Sequence, residues 1–168
     1  MTDFDALYAA HRDDVWRYLR RRTADDHEDL TTEVFLIAWR RRAELPHEPL
    51  PWLYGVARRV LANHRRGEGR REALAERAAA HLSDRTPDLA EAAGLRADLA
   101  SALETLSDRD RELVLLVAWE GLTIAEAAAA LGCTRAAAAV RLHRARKRLH
   151  HALTGPAELA ALTPVEDR

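Results

Sequence analysis

The sequence predicts an all-α protein built as two small helical domains joined by a linker, the second containing a helix-turn-helix. Three observations lead there. Ala, Leu, Arg and Glu dominate while aromatic residues make up only 5%, a composition that favours helices over strands. Apolar residues recur at i, i+3, i+4 spacing in one segment after another, the signature of amphipathic helices. Acidic and basic residues nearly cancel, to a formal net charge of -1, yet they are segregated along the chain, so each segment presents its own field. A chain of 168 residues accommodates two domains of about seventy residues, each able to bury a marginal core.

In the first expected domain, residues 1–72, Phe4, Leu7, Tyr8, His11, Val15, Tyr18 and Leu19 share a helical stripe that ends in Arg20, Arg21 and Arg22. A second helix is expected from near Thr23, with Asp25 and Asp26 in its cap, through Leu30, Val34, Phe35, Ile37, Ala38 and Trp39 to about Ala43. Pro46, Pro49 and Pro51 then fix a loop over residues 44–51, because each proline locks φ and removes a donor. The third helix sets Trp52, Leu53, Val56, Ala57, Val60 and Leu61 on one side and Arg58, Arg59, Asn63, Arg65 and Arg66 on the other, with Gly67 and Gly69 as its expected stop. Residues 73–94 read as a partly helical linker, since their apolar side chains are too small for a core and Ser83 to Pro87 interrupts them. Residues 155–168, with Gly155, Pro156 and Pro164, read as a loosely attached tail.

The second expected domain, residues 95–154, reads as four helices. Ser107 opens the second of them with Asp108 and Asp110 in its first turn, and Gly121 closes it. Thr123-Ile-Ala-Glu126 has the pattern of a capping box, in which two orphan amides are satisfied reciprocally. A short helix from Ile124 to Leu131 follows, then Gly132 for a tight turn and Thr134 to cap a long last helix. That is helix-turn-helix spacing, with Ala127 and Ala128 as the small residues needed where the helices cross. The last helix carries Arg135, Arg141, Arg144, Arg146, Lys147 and Arg148, and no acidic residue falls between Arg135 and His151. Such a one-signed face suits a duplex phosphate backbone. Arg135 and Arg141 are the candidates for base edges, and Arg144, Arg146 and Lys147 for phosphates.

Two blocks resemble a known family. Residues 123–149, TIAEAAAALGCTRAAAAVRLHRARKRL, resemble the fourth conserved region of extracytoplasmic-function sigma factors, and residues 29–39, DLTTEVFLIAW, with residues 51–66, PWLYGVARRVLANHRR, resemble the second region. The resemblance implies a promoter-specificity subunit of bacterial RNA polymerase that is not an enzyme. It assigns Thr134, Arg135, Arg141, Arg144, Arg146 and Lys147 to the minus-thirty-five element and Arg58, Arg59, Asn63 and Arg66 to opening and reading the minus-ten element. Asp29, Thr32 and Glu33 match the surface that docks on the clamp helices of the polymerase largest subunit. Core RNA polymerase, through those clamp helices and the flap, promoter DNA and an anti-sigma factor are the implied partners. The family usually has glutamine at Thr32, commonly asparagine at Arg59 and a basic residue at Ala139. With residues 136 to 139 all alanine, the last helix is expected to lean on phosphate contacts and DNA shape.

Other classes are weaker. Cys133 is the sole cysteine, so neither an internal disulfide nor a cysteine-rich zinc site is available. His143, His150 and His151 fall on neighbouring turns but lack further ligands at zinc spacing. No phosphate loop or activated-nucleophile motif is present, and no cofactor is expected. The absence of a long apolar run and of a leader-like start points to a cytoplasmic protein without membrane insertion. The main rival is a helix-turn-helix regulator that binds duplex DNA without joining polymerase. Trp52 and Tyr54 could serve as stacking platforms, although Trp52 shares its stripe with Val56 and Val60 and so favours the core. The acidic excess from Asp84 to Asp110 is expected to shield the basic faces of the free protein.

Overall fold

The computed structural model describes residues 4–23, 26–76 and 98–159, and these contain helices and no strand. In chain order the helices are α1 (Phe4–Arg20), α2 (His27–Arg40), a 3-10 turn (Arg42–Glu44), α3 (Leu50–Glu76), α4 (98–104), α5 (Asp108–Ala118), α6 (Ile124–Leu131) and α7 (Arg135–Leu159).

Helices α1, α2 and α3 pack on one another because each contributes an apolar stripe at helical spacing. These are Leu7, Val15, Tyr18 and Leu19 from α1, Leu30, Val34, Phe35 and Ala38 from α2, and Leu53, Val56, Ala57, Val60 and Leu61 from α3. Each fully buried Leu or Val contributes about 1.5–3 kcal/mol relative to exposure. Thr31 is the buried polar side chain of α2, satisfied by donating to the His27 carbonyl at 2.6 Å. Pro51 lies in the first turn of α3, where its missing N–H costs nothing.

Three expected boundaries move. Helix α2 starts at His27 rather than near Thr23, and Asp26, with φ of 61°, makes no side-chain cap; its carboxylate lies 3.4 Å from His64 Nε2 of α3 instead. Asp25 is outside the described residues. Helix α3 does not stop at Gly67 and Gly69 but runs to Glu76, since a glycine costs a helix only about 1 kcal/mol and the following Arg, Ala, Leu and Glu are good helix formers. Likewise α7 continues through Gly155 and Pro156 to Leu159. The remainder of the expected linker, residues 77–94, and of the expected tail, residues 160–168, are outside the described residues.

The helix-turn-helix has the expected local chemistry. Thr123 accepts from the Glu126 amide, and the Glu126 carboxylate accepts from the Thr123 amide at 2.7 Å, closing the capping box. Gly132 ends α6 with φ of 66°, a left-handed conformation that favours glycine, and the Cys133 amide donates back to the Ala128 carbonyl at 3.0 Å. Thr134 Oγ1 accepts from the Ala137 amide at 3.2 Å and caps α7. Ala127, Ala128, Ala138, Leu142 and Ala145 are buried, so the crossing helices meet on small side chains.

Beyond the sequence expectation, the two groups of helices are packed together. Helix α3 lies against α6, and a Cβ placed on Gly55 would come within 3.0 Å of the Ala130 carbonyl oxygen. One apolar cluster therefore extends from Leu7 through Leu53 and Leu113 to Leu142. Beside it the Tyr18 hydroxyl donates to Glu112 Oε1 at 2.6 Å, and Arg22 reaches Glu112 Oε2 at 3.2 Å and Glu120 Oε1 at 3.0 Å. Arg21 pairs with Glu120 as well.

The capping box gives a direct test of the local argument. Thr123→Ala should destabilise the protein by about 1 kcal/mol in reversible denaturant unfolding, with the loss confined to stability and the helical circular dichroism of the folded state retained.

Candidate nucleic-acid interface

Residue positions along α7 divide cleanly. Ala138, Leu142 and Ala145 face the core, while Arg135, Ala136, Ala137, Ala139, Val140, Arg144, Arg146 and Lys147 are exposed. Thr134 is exposed too, with its hydroxyl used as the cap. Arg135, Arg144, Arg146 and Lys147 thus form an unobstructed cationic surface, of the kind that displaces counterions from phosphates. Arg141 is placed differently. It is half-buried, and its Nε donates to Asp110 Oδ1 at 2.8 Å across to the first turn of α5. Arg148 approaches the other oxygen at 3.9 Å. Sequence reasoning did not single out Val140, which is 51% exposed on the outer face; an apolar side chain there is the type that contacts a thymine methyl.

Asp110 also accepts from the Ser107 hydroxyl at 2.8 Å. Burial alone would raise its pKa, but the hydrogen bonds from Ser107 and Arg141 outweigh burial and hold the carboxyl below its ordinary value. Of the acidic stretch from Asp84 to Asp110, Asp110 pairs with Arg141 and approaches Arg148; residues 84–97 are outside the described residues.

On α3, Arg59, Asn63 and Arg66 are exposed on one side, and Arg66 donates to Asn63 Oδ1. Arg65 is committed to the Arg22 carbonyl at 2.7 Å. Arg58 stands apart: it is half-buried, its Nε has no hydrogen-bond partner, and it lines a cavity of about 130 Å³ with Arg109, Leu131, Gly132, Cys133 and Arg141. Trp52 is half-buried and packed against the core, with the Arg41 guanidinium 5.5 Å from its ring centroid. Tyr54 is buried and lies 5.1 Å from the Tyr18 ring, which removes it as an exposed stacking platform.

A third surface lies on α2. Asp29, Thr32 and Glu33 are all exposed, and the Thr32 hydroxyl donates to the Glu28 carbonyl at 3.1 Å. Leu36 and Trp39 continue this exposed side at 49% and 48% exposure, giving a mixed acidic and apolar strip suited to a protein partner. The signal available in the sequence was Leu36, which sits one helical turn beyond Thr32 and Glu33. Among the described residues, no group of His, Cys, Asp and Glu is placed to hold a metal ion, and no helix is long and apolar enough to cross a membrane.

Comparison with known proteins shows the family. Residues 7–71 match the family model for Sigma-70 region 2, and residues 96–149 match that for Sigma-70, region 4. The chain is 31% identical over 150 residues to the ECF RNA polymerase sigma factor SigL of Mycobacterium tuberculosis, covering 86% of this chain and 85% of SigL. It is 32% identical over 163 residues to the RNA polymerase sigma factor CarQ of Myxococcus xanthus, covering 93% and 91%. A third relative, RfaY of Xanthomonas campestris, is 38% identical over 136 residues, but the match spans 75% of this chain and only 34% of that longer protein. Among solved structures, RpoE of Bartonella quintana in complex with the anti-sigma factor NepR shares the fold with a TM-score of 0.66, 23% identity and coverage of 93% and 99%. CnrH in complex with the cytosolic domain of CnrY gives 0.59, 25% identity and coverage of 95% and 89%.

The Asp110 geometry carries a pH signature. A carboxyl held below its ordinary value stabilises the folded state above the unfolded carboxylate range, and that contribution disappears as pH falls through the folded value. Asp110→Asn should therefore lower the thermal midpoint at pH 7 and narrow its difference from the parent as the solution is acidified towards pH 3.

Proposed function

The chain belongs to the sigma-70 family, in its extracytoplasmic-function branch of RNA polymerase sigma factors, and from that premise we propose which surfaces perform promoter-specific initiation. The observation that carries the assignment is the separation of roles among exposed faces: an acidic and apolar strip on α2, a cationic side on α3, and a cationic, capped recognition helix α7. The strip formed by Asp29, Thr32, Glu33, Leu36 and Trp39 docks on core polymerase at the clamp helices of its largest subunit. The flap is the expected contact of the C-terminal helices. Arg59, Asn63 and Arg66, with Arg58 once it is uncovered, line the displaced strand at the minus-ten element, where cationic groups stabilise unstacked nucleotides.

At the minus-thirty-five element Thr134 and Arg135 stand at the N-terminus of the recognition helix, the end that meets base edges in this motif. Arg144, Arg146 and Lys147 hold phosphates and set the register. Arg141 joins them when Asp110 releases it. The protein itself catalyses no reaction; bond formation belongs to polymerase, and this chain supplies address and strand opening. It works in the cytoplasm, beside the chromosome. An anti-sigma factor completes the proposed partner set, in keeping with the company in which RpoE of Bartonella quintana was solved.

The assignment is tested by run-off transcription with core polymerase and a promoter library, sequencing the transcript starts with and without the protein. Starts that depend on the protein and share two upstream elements are the expected result; duplex binding without directed initiation would transfer the chain to the ordinary helix-turn-helix regulators. Within such a system, Arg135→Ala should cost about 1–3 kcal/mol at the selected element and relax its sequence preference. Lys147→Ala should instead weaken all duplexes alike and lower the salt dependence by about one ion, as read from affinity titrations at several salt concentrations.

A further inference from the structure

Three arginines from three helices converge on one small cavity. Arg58 of α3, Arg109 of α5 and Arg141 of α7 line it together with Leu131, Gly132 and Cys133, in a volume of about 130 Å³. The charges there are not balanced. Arg141 is paired with Asp110 at 2.8 Å, but among the described residues neither Arg58 nor Arg109 forms an ion pair. A guanidinium used only as a solvated surface charge extends all its donors to water. Arg58 is instead half-buried and its Nε is buried with no acceptor, which is costly for a donor that carries charge. Like charges gathered in a partly enclosed space also repel more strongly than in open water.

The dimensions select the kind of group that relieves this. The volume is that of roughly four liquid waters, well below the about 300–1,000 Å³ of pockets that enclose whole organic ligands. It suits a compact oxyanion with more than one negative charge. Guanidinium groups match phosphate oxygens with paired N–H donors, and a phosphate dianion offsets the two arginines that meet no carboxylate. Arg109 is exposed, and a Cβ on Gly132 would meet nothing within 4 Å, so solvent reaches the cavity with every helix in place. A neighbouring cavity of about 540 Å³ shares Arg58, Arg109 and Leu131 and includes Leu61, Leu115 and Trp119. A phosphate carried by a small molecule therefore has apolar room beside it for the rest of that molecule.

We propose that Arg58, Arg109 and Arg141 form a binding site for one phosphate group, free or carried by a small phosphorylated molecule, beside the turn of the helix-turn-helix. Because the three guanidiniums stand on α3, α5 and α7, the bound group ties these helices to one another and stabilises the folded chain by mass action. The site does not depend on the sigma-factor reading, and its test requires neither polymerase nor DNA.

Cys133 lines the cavity and is the sole cysteine, so its alkylation by iodoacetamide, an uncharged reagent, reports occupancy in the full chain. Inorganic phosphate, adenosine monophosphate and adenosine are compared at constant ionic strength set with sodium chloride, and calorimetry supplies stoichiometry and Kd. One phosphate group should bind per chain, and at about ten times its Kd the alkylation rate should fall to about a tenth. Chloride and adenosine should give no protection. Arg109→Gln, at an exposed position, should weaken binding by about tenfold or more, the loss of one hydrogen bond to a charged group, and Arg58→Gln should do the same. Inorganic phosphate binding at least as tightly as the nucleotide assigns the site to free phosphate. Tighter binding of the nucleotide, still weakened by both variants, assigns it to a carried phosphate. Parental protection in both variants overturns the proposal, as does the lack of saturable binding by either phosphate compound. Should Arg58→Gln lose its helical circular dichroism, Arg109→Gln decides alone.

Discussion

The close approach of two main chains at Gly55 and Ala130 is the constraint on which the arrangement of the C-terminal helices depends. Helix α6 has eight residues, too few for a helix to persist in water by itself. It persists because its N-terminus is closed by the Thr123–Glu126 box and because small side chains let it be covered on more than one side. Ala127 and Ala128 are buried with the neighbouring helices, and Ala130 lies against α3. A larger residue at Gly55 would lift α6 from α3 and, with it, the turn at Gly132 from which α7 springs. The geometry of the recognition helix is thus tied to a helix in the other half of the chain.

Energy and orientation are divided between two kinds of contact at that junction. The apolar cluster that runs from Leu53 to Leu116 and Leu142 supplies the drive, at roughly 25 cal/mol for each Å² removed from water. The charges supply direction. Burial alone would depress the Arg22 pKa, but Tyr18, Glu112 and Glu120 outweigh it and keep the guanidinium charged. Burial, followed by the neighbouring Glu112, pushes the Tyr18 hydroxyl well above its ordinary range, so it remains a donor at any physiological pH. Partners with one donor sense and fixed sign permit only one seating of the two halves.

What could be read from the sequence was whatever is encoded within a few residues. Thr123 with Glu126, Gly132 and Thr134 announced the helix-turn-helix because caps and left-handed turns are local chemistry, and Ser107 with Asp110 did the same for α5. Where a side chain found a distant partner, local reasoning could not foresee the contact. Asp26 has the composition of a cap yet faces His64, and Arg141 has the position of a base reader yet meets Asp110. The junction of Arg22 with Glu112 spans ninety positions and leaves no periodic trace; a run of three arginines at a helix end reads equally well as a solvated face. The glycines of α3 misled for another reason, since a helix tolerates what a boundary prefers.

The alanines of α7 have a consequence for how such a protein changes over generations. The positions that hold the helix in place, Ala138, Leu142 and Ala145, are distinct from those that look outward, Ala136, Ala137, Ala139 and Val140. Because the outward set contributes nothing to the core, its members can be exchanged without disturbing the scaffold. On the proposed reading, in which Thr134 and Arg135 meet base edges, duplicated copies acquire new target sites by changing those two residues and their exposed neighbours while the core positions stay as they are. For the same reason the helix is a ready chassis for building mutually insulated gene switches, in which the address is rewritten while the fold stays put.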